Sequence, residues 1–208
     1  MLYAKPTPKG TGIEFWGDCN DLQSLYDTMN KLANYGNDPN SYERNEHLLT
    51  IVPYEVRHAF QGDRYKTNID NGKTKTTYYG FRLDWITLLY TISALRHNAG
   101  LMATDDLDQS NLLLLEHCTR ESLYAYDALG ARSVELFINQ RIDVTHKHVY
   151  QIHQHLLNIY FSEKPTKRRF RNIPSLLISV CGQDMEEFLQ YNDINYENEL
   201  DTDREIVW

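Results

Sequence analysis

The chain has 208 residues, of which 41% are hydrophobic, and it carries 29 acidic against 21 basic side chains for a net charge of −8. Such a length buries a core without disulfide or metal staples, and the negative balance repels phosphate backbones on average, so nucleic-acid binding would need cations gathered in one place. The lysines and prolines of MLYAKPTPKG argue against a secretory signal, and polar residues break the apolar clusters at 85–95 and 112–115 short of a bilayer span; a cytoplasmic protein with no membrane role is expected.

Cys19, Cys118 and Cys181 are odd in number and far apart, which suits reduced thiols better than a disulfide framework or a zinc site. Along the chain, LYAKP and GIEFWG form a candidate hairpin through the turn-forming residues 6–12. Helical spacing follows, with Leu22, Leu25, Tyr26, Met29, Leu32 and Ala33 on one face, Asn20 and Gln23 placed as a capping box, and Gly36 as the stop. GNDPNSYERN reads as a loop, HLLTIVPY as a buried strand that Pro53 ends or turns into a helix start, and YEVRHAFQG as a short helix. A second hairpin is expected where residues 64–69 and 73–83 flank Asp70-Asn71-Gly72.

After Leu83 helices dominate. Asp84 caps one whose apolar residues, from Trp85 to Leu95, occupy more than one face and so belong in the centre of the fold. Asp105, Asp108 or Ser110 caps another that stops near Gly130, a short element covers 132–139, and Thr145 opens a helix with Val149, Ile152, Leu156, Ile159 and Tyr160 in a stripe. A segment initiated by Pro174 and a helix around 185–191 precede an acidic, frayed tail over residues 192–208. Strand signals therefore crowd into residues 2–83 and helix signals into 84–191. The expectation is one α+β domain over residues 1–208, with a small antiparallel sheet on a helical layer.

The candidate chemistry is sparse. His146, His148, His153 and His155 lie within ten residues, but none are three or four apart as chelation on a helix requires, so His153 reads as a hydrogen-bonded residue at the stripe's edge and no metal or other cofactor is expected. Five cations, Lys164, Lys167, Arg168, Arg169 and Arg171, surround Phe170 in KPTKRRFRN, a loop that could hold phosphates while Phe170 stacks on an unpaired base. The structural reading of the same segment turns Phe170 into the core. Arg141 and His146 have the Arg-x4-His spacing that resembles the signature of the helical HEPN ribonucleases. The resemblance covers these two residues of RIDVTH and implies that they would act together as catalytic residues on RNA, an imidazole and a fixed positive charge suiting phosphoryl chemistry.

Fifteen tyrosines, with the Trp16-Gly17-Asp18 turn and the Tyr78-Tyr79 pair, could line a recognition surface, since tyrosine suits places where one end of a ring is dry and the other wet. The leading reading is a non-enzymatic, protein-binding or regulatory module whose partner docks on an aromatic and acidic surface built on the sheet. RNA is the alternative partner, through Lys167 to Arg171 with Arg141 and His146. A small-molecule site between the sheet and the Trp85 helix is a third possibility.

Overall fold

In this computed structural model the described residues are 1–33, 45–70, 72, 75–139, 142, 144, 149–178 and 206–208. The fold is α+β, as the segregation of strand and helix signals implies. Strands β1 (Tyr3–Pro6), β2 (Gly12–Gly17), β3 (Tyr65–Asp70) and β4 (Lys75–Asp84) form one antiparallel sheet in the order β1-β2-β4-β3. Both expected hairpins are present. The first is closed by Gly10 at φ 67°, and Gly72, at φ 75°, lies in the four-residue connection that the Asp70↔Lys75 register leaves in the second.

Alternation along the strands sorts the sheet into two faces. Ile13, Phe15, Phe81 and Leu83 point inward and are buried, with the rings of the register partners Phe15 and Phe81 stacked 5.3 Å apart. Helices α1 (Cys19–Ala33), α2 (Asn45–Gln61) and α3 (Trp85–Ala99) pack beneath them. The helical layer thus draws two members from the first 83 residues. Trp85, Ile86, Leu88, Leu89, Tyr90, Ile92 and Leu95 of α3 are all buried, which fits a helix touching neighbours on every side. Asp84 caps it as its position suggests, accepting from the Thr87 amide at 2.8 Å.

Several local expectations change. The strand expected over HLLTIVPY and the helix after it are one helix, α2, with Pro53 inside. The β-branched run Thr50-Ile51-Val52 favours a strand locally, but Val52, Val56 and Ala59 recur at helical spacing and all reach zero exposure, so tertiary burial decides. The capping box of α1 is formed by Asp18 and Asp21, each accepting from the other's backbone amide, in place of Asn20 and Gln23. Gly36 and most of the Gly36–Asn45 loop lie outside the described residues, as do the Thr145 helix start, the 185–191 helix and the tail up to residue 205.

Helix α4 (Asp106–Val134) starts from an Asp105–Asp108 capping box and continues past Gly130. The break falls earlier, at Asp127, whose φ −155° and ψ 92° lie outside the helical region. Gly130 serves close packing instead: a Cβ there would stand about 3.0 Å from Phe170, Arg171 and Asp127. The short α5 (Leu136–Asn139) and α6 (Val149–Ser162) follow. KPTKRRFRN is no loop: α7 (Lys167–Ile178) includes most of it and runs through Pro174. Among the described residues no helix is long and apolar enough to cross a membrane.

Candidate binding face of the sheet

Strand parity turns Tyr3 and Lys5 of β1, Glu14 and Trp16 of β2, Tyr78 and Arg82 of β4, and Tyr65 of β3 to the face opposite the core. Glu14 is the anchor. Its side chain is 5% exposed and stands between two cations: Lys5 Nζ is 3.1 Å from Oε2, and Arg82 donates to Oε1 from Nε at 2.8 Å and from Nη2. Burial alone would raise the Glu14 carboxyl, yet the hydrogen bonds from Lys5 and Arg82 outweigh it and hold the group below the usual carboxylate range. The indole N–H of Trp16 points to the same carboxylate at 3.4 Å.

Around that anchor the rings and cations interleave. Arg82 lies over the Tyr65 ring at 4.5 Å, Lys5 over the Trp16 ring at 5.7 Å, and Trp16 and Tyr65 are 6.4 Å apart, while Tyr3 and Tyr78 are 5.8 Å apart at the β1 side. Gly80, opposite both Trp16 and Tyr65 in register, makes room for the indole: a Cβ there would fall 2.7 Å from the ring. Tyr3 and Tyr65 are each 39% exposed. The face is therefore an ordered aromatic platform open to solvent. Its charged members are Lys5, Arg82 and Glu14, so the acidic character expected for a sheet surface is corrected: this patch carries a small positive excess on a chain of net charge −8.

The basic segment is taken apart by α7. Of the expected binding residues, Lys167 and Arg168 stand exposed in its first turn, and the Lys167 charge helps to lower the Asp127 carboxyl. Phe170 is fully buried against Trp85 and Tyr126, with centroids at 5.8 and 5.1 Å, so it has no face left for a base. Arg171 grips the buried Asp127 carboxylate through Nε and Nη2 at 2.6 and 3.1 Å, and that hydrogen bond drives the Asp127 pKa down. Arg169 is 3% exposed, lies 4.4 Å from the Tyr160 ring and donates to Thr11 Oγ1 at 2.6 Å, with Nε left without a partner. Arg141 and His146 fall outside the described residues.

His153 is a core residue, in contrast to the boundary position its spacing suggested. Its Nε2 meets Thr87 Oγ1 at 3.0 Å, its ring abuts Tyr90 at 5.2 Å, and burial pushes its pKa down to about 3. Among the described residues no group of three His, Cys, Asp or Glu side chains could hold a metal. At the junction between sheet and α3, Trp85 has zero exposure and donates to the Gly10 carbonyl at 3.1 Å. A groove of about 440 Å³ lies elsewhere, between α1 and α4, where Lys31 pairs with Asp108 beside Asp27 and Asp105.

The family model described as "Domain of unknown function (DUF6904)" matches residues 2–199. The chain belongs to the DUF6904 family. That match takes in every strand of the DUF6904 sheet and the whole of its open face. Comparison with curated proteins and with solved structures gave no match. The platform was half legible in the sequence. Trp16 and the Tyr78-Tyr79 pair stood out, but Tyr79 turns to the other face, and the partnership of Glu14 with Lys5 and Arg82 depends on a register that joins positions 68 residues apart.

Proposed function

We propose that this protein is a non-enzymatic protein-binding or regulatory module of the cytoplasm, and that its partner docks on the open face of the sheet. The observation that carries the reading is the ordered row of Tyr3, Lys5, Trp16, Arg82 and Tyr65, set by cross-strand contacts yet open to solvent. Rings and guanidinium groups prearranged in this way lose little conformational entropy on binding, and Trp, Tyr and Arg dominate the energetics of protein interfaces. The small positive excess favours a partner segment that mixes carboxylates with apolar side chains. Among the described residues, the histidine most strongly displaced in pKa, His153, is sealed in the core and packs there. Exposed Cys19, a free thiol, fits a reducing compartment.

RNA remains the alternative partner, now resting on exposed Lys167 and Arg168. A photo-crosslinking side chain installed at Tyr3 in one variant and at Arg168 in another separates the two. A protein adduct formed from position 3 and absent from position 168 supports docking on the sheet. A nuclease-sensitive adduct from position 168, with none from position 3, overturns it in favour of RNA.

A further inference from the structure

The two edges of the sheet are treated differently. The β1 edge is covered, since α4 packs along it and the Cys118 thiol meets the Leu2 carbonyl. Strand β3 forms the other edge, and of its six residues all but Ile69 are exposed. Among the described residues this proline-free strand is paired on its β4 side alone, and its other side offers a row of backbone donors and acceptors to another strand.

The order of side chains in YKTNID indicates which strand fits. When β3 meets a second β3 antiparallel about a twofold axis through Asn68, Lys66 of each copy stands opposite Asp70 of the other, and Thr67 opposite Ile69. Both opposite-charge pairs form at once. A shift by one residue would set inward against outward positions and break the continuity of the faces, whereas pairing on Asn68 keeps like parity together. A shift of two residues, to an axis through Thr67, separates Lys66 from Asp70.

We propose that two copies of this chain join through β3 in that register, extending the sheet to the order β1-β2-β4-β3-β3-β4-β2-β1. The aromatic platforms then lie on one continuous surface, with the two Tyr65 rings nearest the axis. This inference goes beyond the docking reading, because it concerns the edge of the sheet and is read as mass instead of partner capture. A strand pair of this length makes a small interface, so dissociation at low concentration is part of the expectation.

The test is sedimentation of the full chain over a concentration series, on the wild type and on Lys66→Asp and Asp70→Lys. The wild type should move from 24.5 kDa toward twice that mass. Each variant alone places like charges opposite one another twice and should weaken dimerisation roughly tenfold. An equimolar mixture of the two variants restores both attractive pairs and should recover the dimer, which also shows that each variant is folded. A wild type that stays at chain mass throughout overturns the proposal, and so does a dimer whose stability neither variant changes.

Discussion

Two carboxylates in this fold respond to burial in opposite ways, and their partners explain why. Asp84 is buried at the start of α3, and burial raises its carboxyl even though amides of the first turn pull it back. A raised carboxyl binds its proton more tightly in the folded state, so this group stabilises the fold at low pH and loses that contribution as pH rises through its folded value. Asp84→Asn keeps an acceptor for the cap without the charge. Chemical denaturation at pH 7 and pH 4 should find the Asn variant at least as stable as wild type at pH 7 with the advantage gone at pH 4, while Asp84→Ala loses about 0.5–2 kcal/mol through the missing cap.

Asp127 behaves in the reverse sense, because the Arg171 guanidinium outweighs burial and lowers its carboxyl. Its contribution is present above the ordinary carboxylate range and fades as pH falls through the folded value. Arg171→Ala should therefore be clearly less stable than wild type at pH 7, with the gap closing in acid. Thermal unfolding followed from pH 7 down to pH 3 reads this directly, and a gap independent of pH would refute the pairing as its source.

At the scale of elements, the close approach of Trp16 to Gly80 links sequence to surface. Only the absence of a Cβ lets the indole lie on β4 between the cations and Tyr65. Gly80→Ala should keep the fold at a cost of about 1–3 kcal/mol, as overpacking does, and should move the Trp16 indole resonance in an NMR spectrum while leaving that of Trp85 in place. Elements were legible where local pattern and burial agree: the Asn-Gly hairpin, the Asp84 cap and the all-round apolar α3 needed no distant information. They were misread where the two conflict. The β-branched residues before Pro53 favour a strand and Pro53 favours a break, and α2 runs through both because Val52, Val56 and Ala59 share a buried side. Positive charge in KPTKRRFRN suggested an open loop, yet Arg169 and Phe170 are internal because Tyr160, Thr11, Trp85 and Tyr126 surround them from other parts of the chain.

Across the whole molecule, one turn gathers contacts from nearly every layer. Thr11 accepts from Arg169, donates from the same hydroxyl to the Val207 carbonyl and receives the Tyr160 hydroxyl at its own carbonyl, while Gly10 and Lys9 take bonds from Trp85 and Tyr126. The first hairpin is thereby fixed to α3, α4, α6 and α7. Thr11→Val leaves a buried guanidinium without its hydroxyl and should cost about 1–3 kcal/mol in equilibrium unfolding, with Thr11→Ser close to wild type.

The same clamped hairpin carries Tyr3, Lys5, Glu14 and Trp16, so the rigidity of the platform and the packing of the core have one origin. Charge, length and strand content could suggest such a surface but could not compose it, since its members come from four strands whose order is set by long-range pairing. Docking on the sheet is read most directly by quantitative affinity capture with the full chain as bait, comparing wild type with a Trp16→Ala and Tyr65→Ala double variant and with Lys167→Ala and Arg168→Ala. A protein enriched by the wild type should be retained by the helix variant and fall at least roughly tenfold with the sheet variant, at equal melting temperatures. Equal enrichment by the sheet variant would contradict it.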